Sequence, residues 1–125
     1  MRMRFASLSV SDEDRALDFY VNKLGFQLLR DHPTDFGSRF LMFEPSGGGT
    51  KLVVSKPIPG RPEQHVGGFS NIAWEVDDVE ATYEALRARG VEFTQEPTRR
   101  FWGGFEAIFV DPDGNAFLLQ QGGMD

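Results

Sequence analysis

The chain of 125 residues carries 13 basic and 19 acidic side chains, a formal net charge of −6 and no cysteine, with 40% hydrophobic and 26% charged residues. That length accommodates one domain able to bury about two-thirds of its unfolded surface, and the missing thiols exclude disulfides, thiolate metal centres and a cysteine nucleophile. The acidic balance lacks the basic stripe of a nucleic-acid binder, and no apolar run approaches the roughly 20 residues of a membrane span, so a cytoplasmic protein with neither nucleic-acid nor membrane partners is expected.

Met3 to Val10 alternates with a period of two, which predicts a strand with Phe5, Ser7 and Ser9 on one face and Ala6, Leu8 and Val10 on the other. Ser11 with Asp14 three residues on makes an approximate capping box. A helix from about Asp12 to Lys23 follows, with Ala16, Leu17, Phe19, Tyr20 and Leu24 as its buried stripe and Gly25 as its stop. Phe26 to Arg30 predicts a second strand, His32 to Gly37 a loop, and Phe40 to Ser55 a hairpin turning at Pro45 and three glycines. Residues 57–68, rich in proline and glycine, read as a linker between a first module of about residues 1–56 and a second of about 69–125.

In the second module, Phe69 to Val76 is a strand with Ile72, Trp74 and Val76 on one face and Asn71, Ala73 and Glu75 on the other. A helix over about Val79 to Arg89 buries Val79, Tyr83 and Leu86 and ends at Gly90. Val91 to Gln95 is a strand, Pro97 to Gly104 a loop carrying Arg99, Arg100, Phe101 and Trp102, and Phe105 to Gln121 a hairpin. That hairpin turns at Asp111-Pro112-Asp113-Gly114-Asn115, where proline presets φ and Gly114 and Asn115 tolerate positive φ.

The two halves repeat one another. Val10-Ser11-Asp12 precedes Val76-Asp77-Asp78 by 66, while Leu24-Gly25-Phe26 precedes Arg89-Gly90-Val91 by 65, which places a one-residue slip inside the first helix. Phe43 to Gly47 matches Val110 to Gly114 at an offset of 67, and Leu52-Val53-Val54 matches Phe117-Leu118-Leu119 at 65, with Gly48 and Gly49 making up the difference. A spacing of 65–67 residues held through strand, helix and hairpin is a duplication. The order is β-α-β-β-β twice, an α+β chain in which each helix covers one face of its sheet, so that the two uncovered faces would form a cleft.

The chain resembles the vicinal oxygen chelate superfamily, which comprises glyoxalase lyases, extradiol dioxygenases, fosfomycin-modifying transferases and bleomycin-resistance proteins. The likeness rests on Val10-Ser11-Asp12, on Phe19-Tyr20 with Leu24-Gly25-Phe26, on Val76-Asp77-Asp78-Val79, and on Asp111 to Asn115. It implies paired βαβββ modules in tandem, an open cleft between curved mixed sheets, and commonly a homodimer. It also implies that the positions holding a divalent metal in the family's enzymes fall here on Phe5, Val53, Asn71 and Leu118, none of them a histidine or carboxylate. No metal and no cofactor are therefore expected.

A ligand-binding lining is expected from Phe5, Ser7, Val53, Asn71, Glu75, Leu118 and Gln120, with Phe101 and Trp102 as an aromatic lid suited to stacking on a flat or cationic ligand. The plainer alternative is that Phe5, Val53 and Leu118 fill core space and that Trp102 anchors a loop or a dimer contact. His32 and His65 have no spaced histidine partner, and Arg39 and Arg99 read as surface residues or as holders of a carboxylate or phosphate. The expected function is metal-independent small-molecule binding in a dimeric cleft. The alternatives are a lyase, isomerase or dioxygenase with a displaced metal site or with Glu75 as an acid-base residue, and a protein interaction module.

Overall fold

Asp12 and Asp78 each begin a helix by the same contact. The Asp12 carboxylate accepts from the backbone N–H of Arg15, and that of Asp78 from the backbone N–H of Ala81, both at 3.0 Å, which satisfies one orphan donor of each first turn. The cap of the first helix is thus Asp12 and not Ser11: Asp12 holds the extended backbone of a capping residue (φ −147°, ψ 112°). Ser11 instead accepts from the Arg15 guanidinium at 3.0 Å.

The computed structural model describes residues 1–122, and the chain divides into two compact units between Gly67 and Gly68. The first contains β1 (Phe5–Ser9), α1 (Glu13–Leu17) continuing as a π-helical turn (Asp18–Lys23), β2 (Gln27–Pro33), β3 (Arg39–Glu44) and β4 (Lys51–Ser55). The second contains β5 (Gly68–Glu75), α2 (Val79–Ala88), β6 (Glu92–Arg99), β7 (Phe105–Val110) and β8 (Asn115–Gln121). The sheets have orders β1-β4-β3-β2 and β5-β8-β7-β6, each with one parallel pair, β1 with β4 and β5 with β8, and antiparallel neighbours beyond it. This is the βαβββ arrangement expected, twice.

The slip in the repeat has a structural form. A π-turn holds one residue more than the α-helical turn it replaces, and Leu24 N–H donates to Phe19 C=O, five residues back. α2 lacks this turn and is one residue shorter between cap and glycine. At the hairpins, strand register moves the correspondence: Phe43 stands opposite Leu52 as Phe109 stands opposite Phe117. The strands before the turns are therefore related by 66 and not 67, because the turn motifs sit one residue apart relative to their strands.

The helix-covered faces are apolar. Tyr20 is fully buried, with ring centroids 5.0 Å from Phe19 and 5.3 Å from Phe43, and Leu41, Leu52 and Val54 are buried in the same unit. In the second unit, Trp74, Phe117, Phe109, Phe93 and Tyr83 make a chain of aromatic contacts 4.7–5.8 Å apart. A buried carboxylate fastens α1: Glu13 accepts from the Ser38 hydroxyl at 3.0 Å and the Arg39 N–H at 3.2 Å, and lies 3.4 Å from Lys56 Nζ.

Two strands run further than expected, and one turn residue takes a different conformation. β2 runs on to Pro33, so His32 is a strand residue opposite Phe40. β6 runs on to Arg99, pairing Thr98 with Glu106 and Arg99 with Phe105 across bulges that alternation does not reveal. Asn115 starts β8 and is not among the positive-φ residues. Its backbone and side-chain N–H groups donate to Asp111 at 2.9 Å, and Gly114 alone takes the left-handed turn, at φ 81°. Among the described residues, no helix is long and apolar enough to cross a membrane.

Asp111 is buried and also accepts from Asp113 N–H at 2.9 Å. Asp111→Ala would strand these donors and should lower unfolding free energy by about 2 kcal/mol in urea titration. Burial opposes ionisation of Glu13, yet its own N–H, Ser38 and Lys56 prevail and hold its carboxyl below the usual range; the hydrogen bond from Arg39 does the same for Asp31. Both depressed values stabilise the fold fully above the unfolded carboxylate range of about 4, and that contribution is lost as pH falls from there through the lower folded values. Urea midpoints should be level from neutral pH to about pH 5 and then drop, and less steeply in Glu13→Gln.

Candidate functional site

Strand register arranges the side chains of the second unit's helix-free face in rows. Glu75 stands opposite Gln120, Gln120 opposite Glu106, and Glu106 opposite Thr98; the adjacent row is Ala73, Leu118, Ile108 and Gln95. The intervening row, Trp74, Leu119 and Ala107, belongs to the helix-covered face. One row thus sets two carboxylates either side of an amide, and the next is mostly apolar.

Glu106 is buried, and its Oε1 accepts from Arg100 Nε at 2.7 Å. Arg100 Nη2 donates to Gln95 Oε1 at 2.9 Å, and Gln95 Nε2 donates to the Glu106 carbonyl at 3.4 Å. A buried carboxylate loses hydration that an ion pair and hydrogen bonds must replace, and Arg100 does this by folding back from the hairpin tip. The tip is a tight turn: Arg100 N–H donates to Gly104 C=O at 2.8 Å and Gly103 N–H to Arg100 C=O at 3.0 Å.

Trp102 stands on that turn, 41% exposed, with its indole against Gly104. A methyl group at Gly104 would lie 2.7 Å from Trp102 Nε1 and 3.6 Å from Gln120 Nε2, so the indole edge, the glycine and the Gln120 amide meet at one place. Phe101 is 97% exposed and touches Trp102 edge-on at 4.8 Å. The expected long loop before the last hairpin is therefore a short turn, because β6 extends four residues further than alternation indicates.

The second unit gathers Glu75, Leu118, Gln120 and Trp102 around one end of a sheet face. Asn71 stands apart, in a bulge of β5 where pairing shifts between Phe69 and Ala73, with φ 62°. Ser70 plugs that bulge, its hydroxyl donating to Ala116 C=O at 2.7 Å. In the first unit Phe5 is 45% exposed opposite Lys51, and exposed Ser7 stands opposite buried Val53. Lys51 is held 2.8 Å from Glu44. Arg39 is committed to Asp31 and Asp14, each at 2.8 Å, Arg99 lies over the Phe105 ring at 4.3 Å, and His65 Nδ1 is 2.9 Å from Gly67 C=O.

The positions that resemblance assigns to metal ligands do not fit a divalent cation. Phe5, Val53 and Leu118 have no donor atom and Asn71 has one amide oxygen, whereas such ions take several oxygen or imidazole ligands. Among the described residues, no three His, Cys, Asp or Glu side chains gather to hold one. Glu106 and the role of Gln95 escaped the sequence reading, in which Arg100 and Gly104 figured only as parts of a loop. The signal for Glu106 was present, since Phe105 to Val110 alternates and sets Glu106, Ile108 and Val110 apart from Phe105, Ala107 and Phe109.

Residues 2–119 match the Glyoxalase/Bleomycin resistance protein/Dioxygenase superfamily. A member of that superfamily from Sphaerobacter thermophilus is 36% identical and superposes with a TM-score of 0.84, covering 98% of each chain. TnmS3, an antibiotic binding protein from Streptomyces sp. CB03234, is 38% identical with a TM-score of 0.80 over 97% of this chain and 95% of its own. A lactoylglutathione lyase from Haemophilus influenzae is 33% identical over 91% of this chain and 87% of its own. With this match and the doubled βαβββ topology, the chain belongs to the Glyoxalase/Bleomycin resistance protein/Dioxygenase superfamily.

Proposed function

We propose that the protein is a metal-independent small-molecule binding protein that holds a flat aromatic or cationic ligand against Trp102 and acts as a homodimer. The carrying observation is the exchange of roles on the helix-free faces. Where the family's enzymes place metal ligands, this chain has Phe5, Val53, Asn71 and Leu118, and near Gln120 it has an aromatic side chain standing 41% exposed on a braced turn. Indole faces attract flat rings and cations, and Glu75, exposed in the neighbouring row, adds negative charge. The likeness to an antibiotic binding protein at 38% identity favours binding without chemistry. Exposed Phe5 and Phe69 on the outer strands β1 and β5, with exposed Met3 just before β1, favour association of copies.

A second reading, a lyase, is favoured by the likeness to lactoylglutathione lyases and by Glu75 and Glu106 on one row. It requires metal ligands elsewhere than at the family's positions, or Glu75 as an acid-base residue.

Calorimetric titration with proflavine, a planar aromatic cation, against an anthracene sulfonate of similar size tests the proposal. Proflavine should bind the more tightly and quench tryptophan emission, and Trp102→Ala should weaken it about fivefold, corresponding to roughly 1 kcal/mol. Equal affinity for both probes, or an affinity that ignores Trp102→Ala, would contradict it.

A further inference from the structure

We infer that Gly104 is the specificity-determining seat of Trp102, and that with the Arg100–Glu106 pair it makes the indole a preformed stacking platform and not a lid that closes over a ligand. The inference deepens the proposed binding site and rests on that reading for its purpose, though its geometry stands without a ligand.

Three observations converge. A Cβ at Gly104 would stand 2.7 Å from Trp102 Nε1, closer than nonbonded atoms approach, and a tight 3.2 Å from Cδ1, and the intruded group is a rigid ring that can yield only by rotating away as a whole. Gly104 does not need glycine for its backbone: positive φ belongs to Gly103, at 92°. Glycine at 104 is therefore required by the indole and not by the turn. Beneath the turn, Glu106 is 5% exposed and spends Oε1 on Arg100, while Oε2 accepts no hydrogen bond among the described residues.

An ion pair with its carboxylate buried on a sheet face and its guanidinium 35% exposed is a poor source of stability in itself, and one of the best-attested uses of such pairs is to fix a geometry. Here Arg100 closes the turn through its backbone and grips the sheet through its side chain, joining the hairpin tip to Glu106 and Gln95. Trp102 is thereby held in one pose beside Gln120 before any ligand arrives. A platform of this kind selects flat ligands, since ordering of the aromatic group is already complete. The free Glu106 oxygen offers an acceptor to an N–H or O–H at the ligand's edge.

The test needs no ligand. Trp74→Phe leaves Trp102 as the single tryptophan, and time-resolved anisotropy then reports its motion. In that parent the indole should tumble with the protein, without the fast rotation of a free side chain on the picosecond-to-nanosecond scale. Adding Gly104→Ala should introduce that fast component, shift emission to the red and raise acrylamide quenching. Glu106→Gln, which keeps the side-chain volume and removes the charge, should loosen the same ring, and it carries the test should Gly104→Ala fail to fold. Far-UV dichroism unchanged in either variant separates loosening from unfolding. A fast component already present in the parent, or variants indistinguishable from it, would overturn the inference. Absence of proflavine binding with a rigid indole would instead remove the binding reading and leave the platform standing.

Discussion

One helix covers one face of a four-stranded sheet and no more. The rest of each unit follows from that constraint, since the period of two in a strand sends alternate side chains to a face that a helix buries and a face that it does not. On the covered faces every position is chosen for packing: Leu41, Phe43, Leu52 and Val54 in one unit, and Ala107, Phe109, Phe117 and Leu119 in the other, are all buried. Capping by Asp12 and Asp78 aims the two helices at those faces from equivalent points. The helix-free faces carry no such obligation, and there the two copies have diverged.

Their divergence is visible row by row. Ser7, Val53, Met42 and Arg30 stand across the first sheet where Ala73, Leu118, Ile108 and Gln95 stand across the second. The next row of the second sheet holds Glu75, Gln120, Glu106 and Thr98, and the hairpin tip beside it carries Trp102. A duplication that keeps its cores and alters its free faces can exchange metal chemistry for ligand recognition without refolding. On the proposed reading, fold and function are separable in this chain: the cores keep the superfamily's fold, and the free faces carry recognition.

The fold was legible because its signals are local and repeated. Alternation, the two helix stripes with their glycine stops, and an acid-Pro-x-Gly turn recur at a spacing of 65–67 residues, and the one-residue slip falls where the first helix carries its π-turn. Less was legible where tertiary pairing overrides pattern. β6 bulges twice on its way to Arg99, which breaks the alternation of its residues and made an ordered hairpin look like a loop. Asn71 lies in a bulge closed by the Ser70 hydroxyl, a contact between residues 46 apart that spacing does not show. The Arg100 pair with Glu106 and the contact of Trp102 with Gly104 depend on how a turn folds back, and a sequence does not state that direction.

The central claim is that recognition has replaced metal chemistry on these sheets. A native mass spectrum of the protein purified with neither added metal nor chelator addresses it most directly, because one spectrum gives subunit number, bound metal and any retained organic molecule. The account predicts a dimer without bound metal, with an organic adduct where ligand has been retained. Stoichiometric metal on each subunit would contradict it and would place ligands outside Phe5, Val53, Asn71 and Leu118.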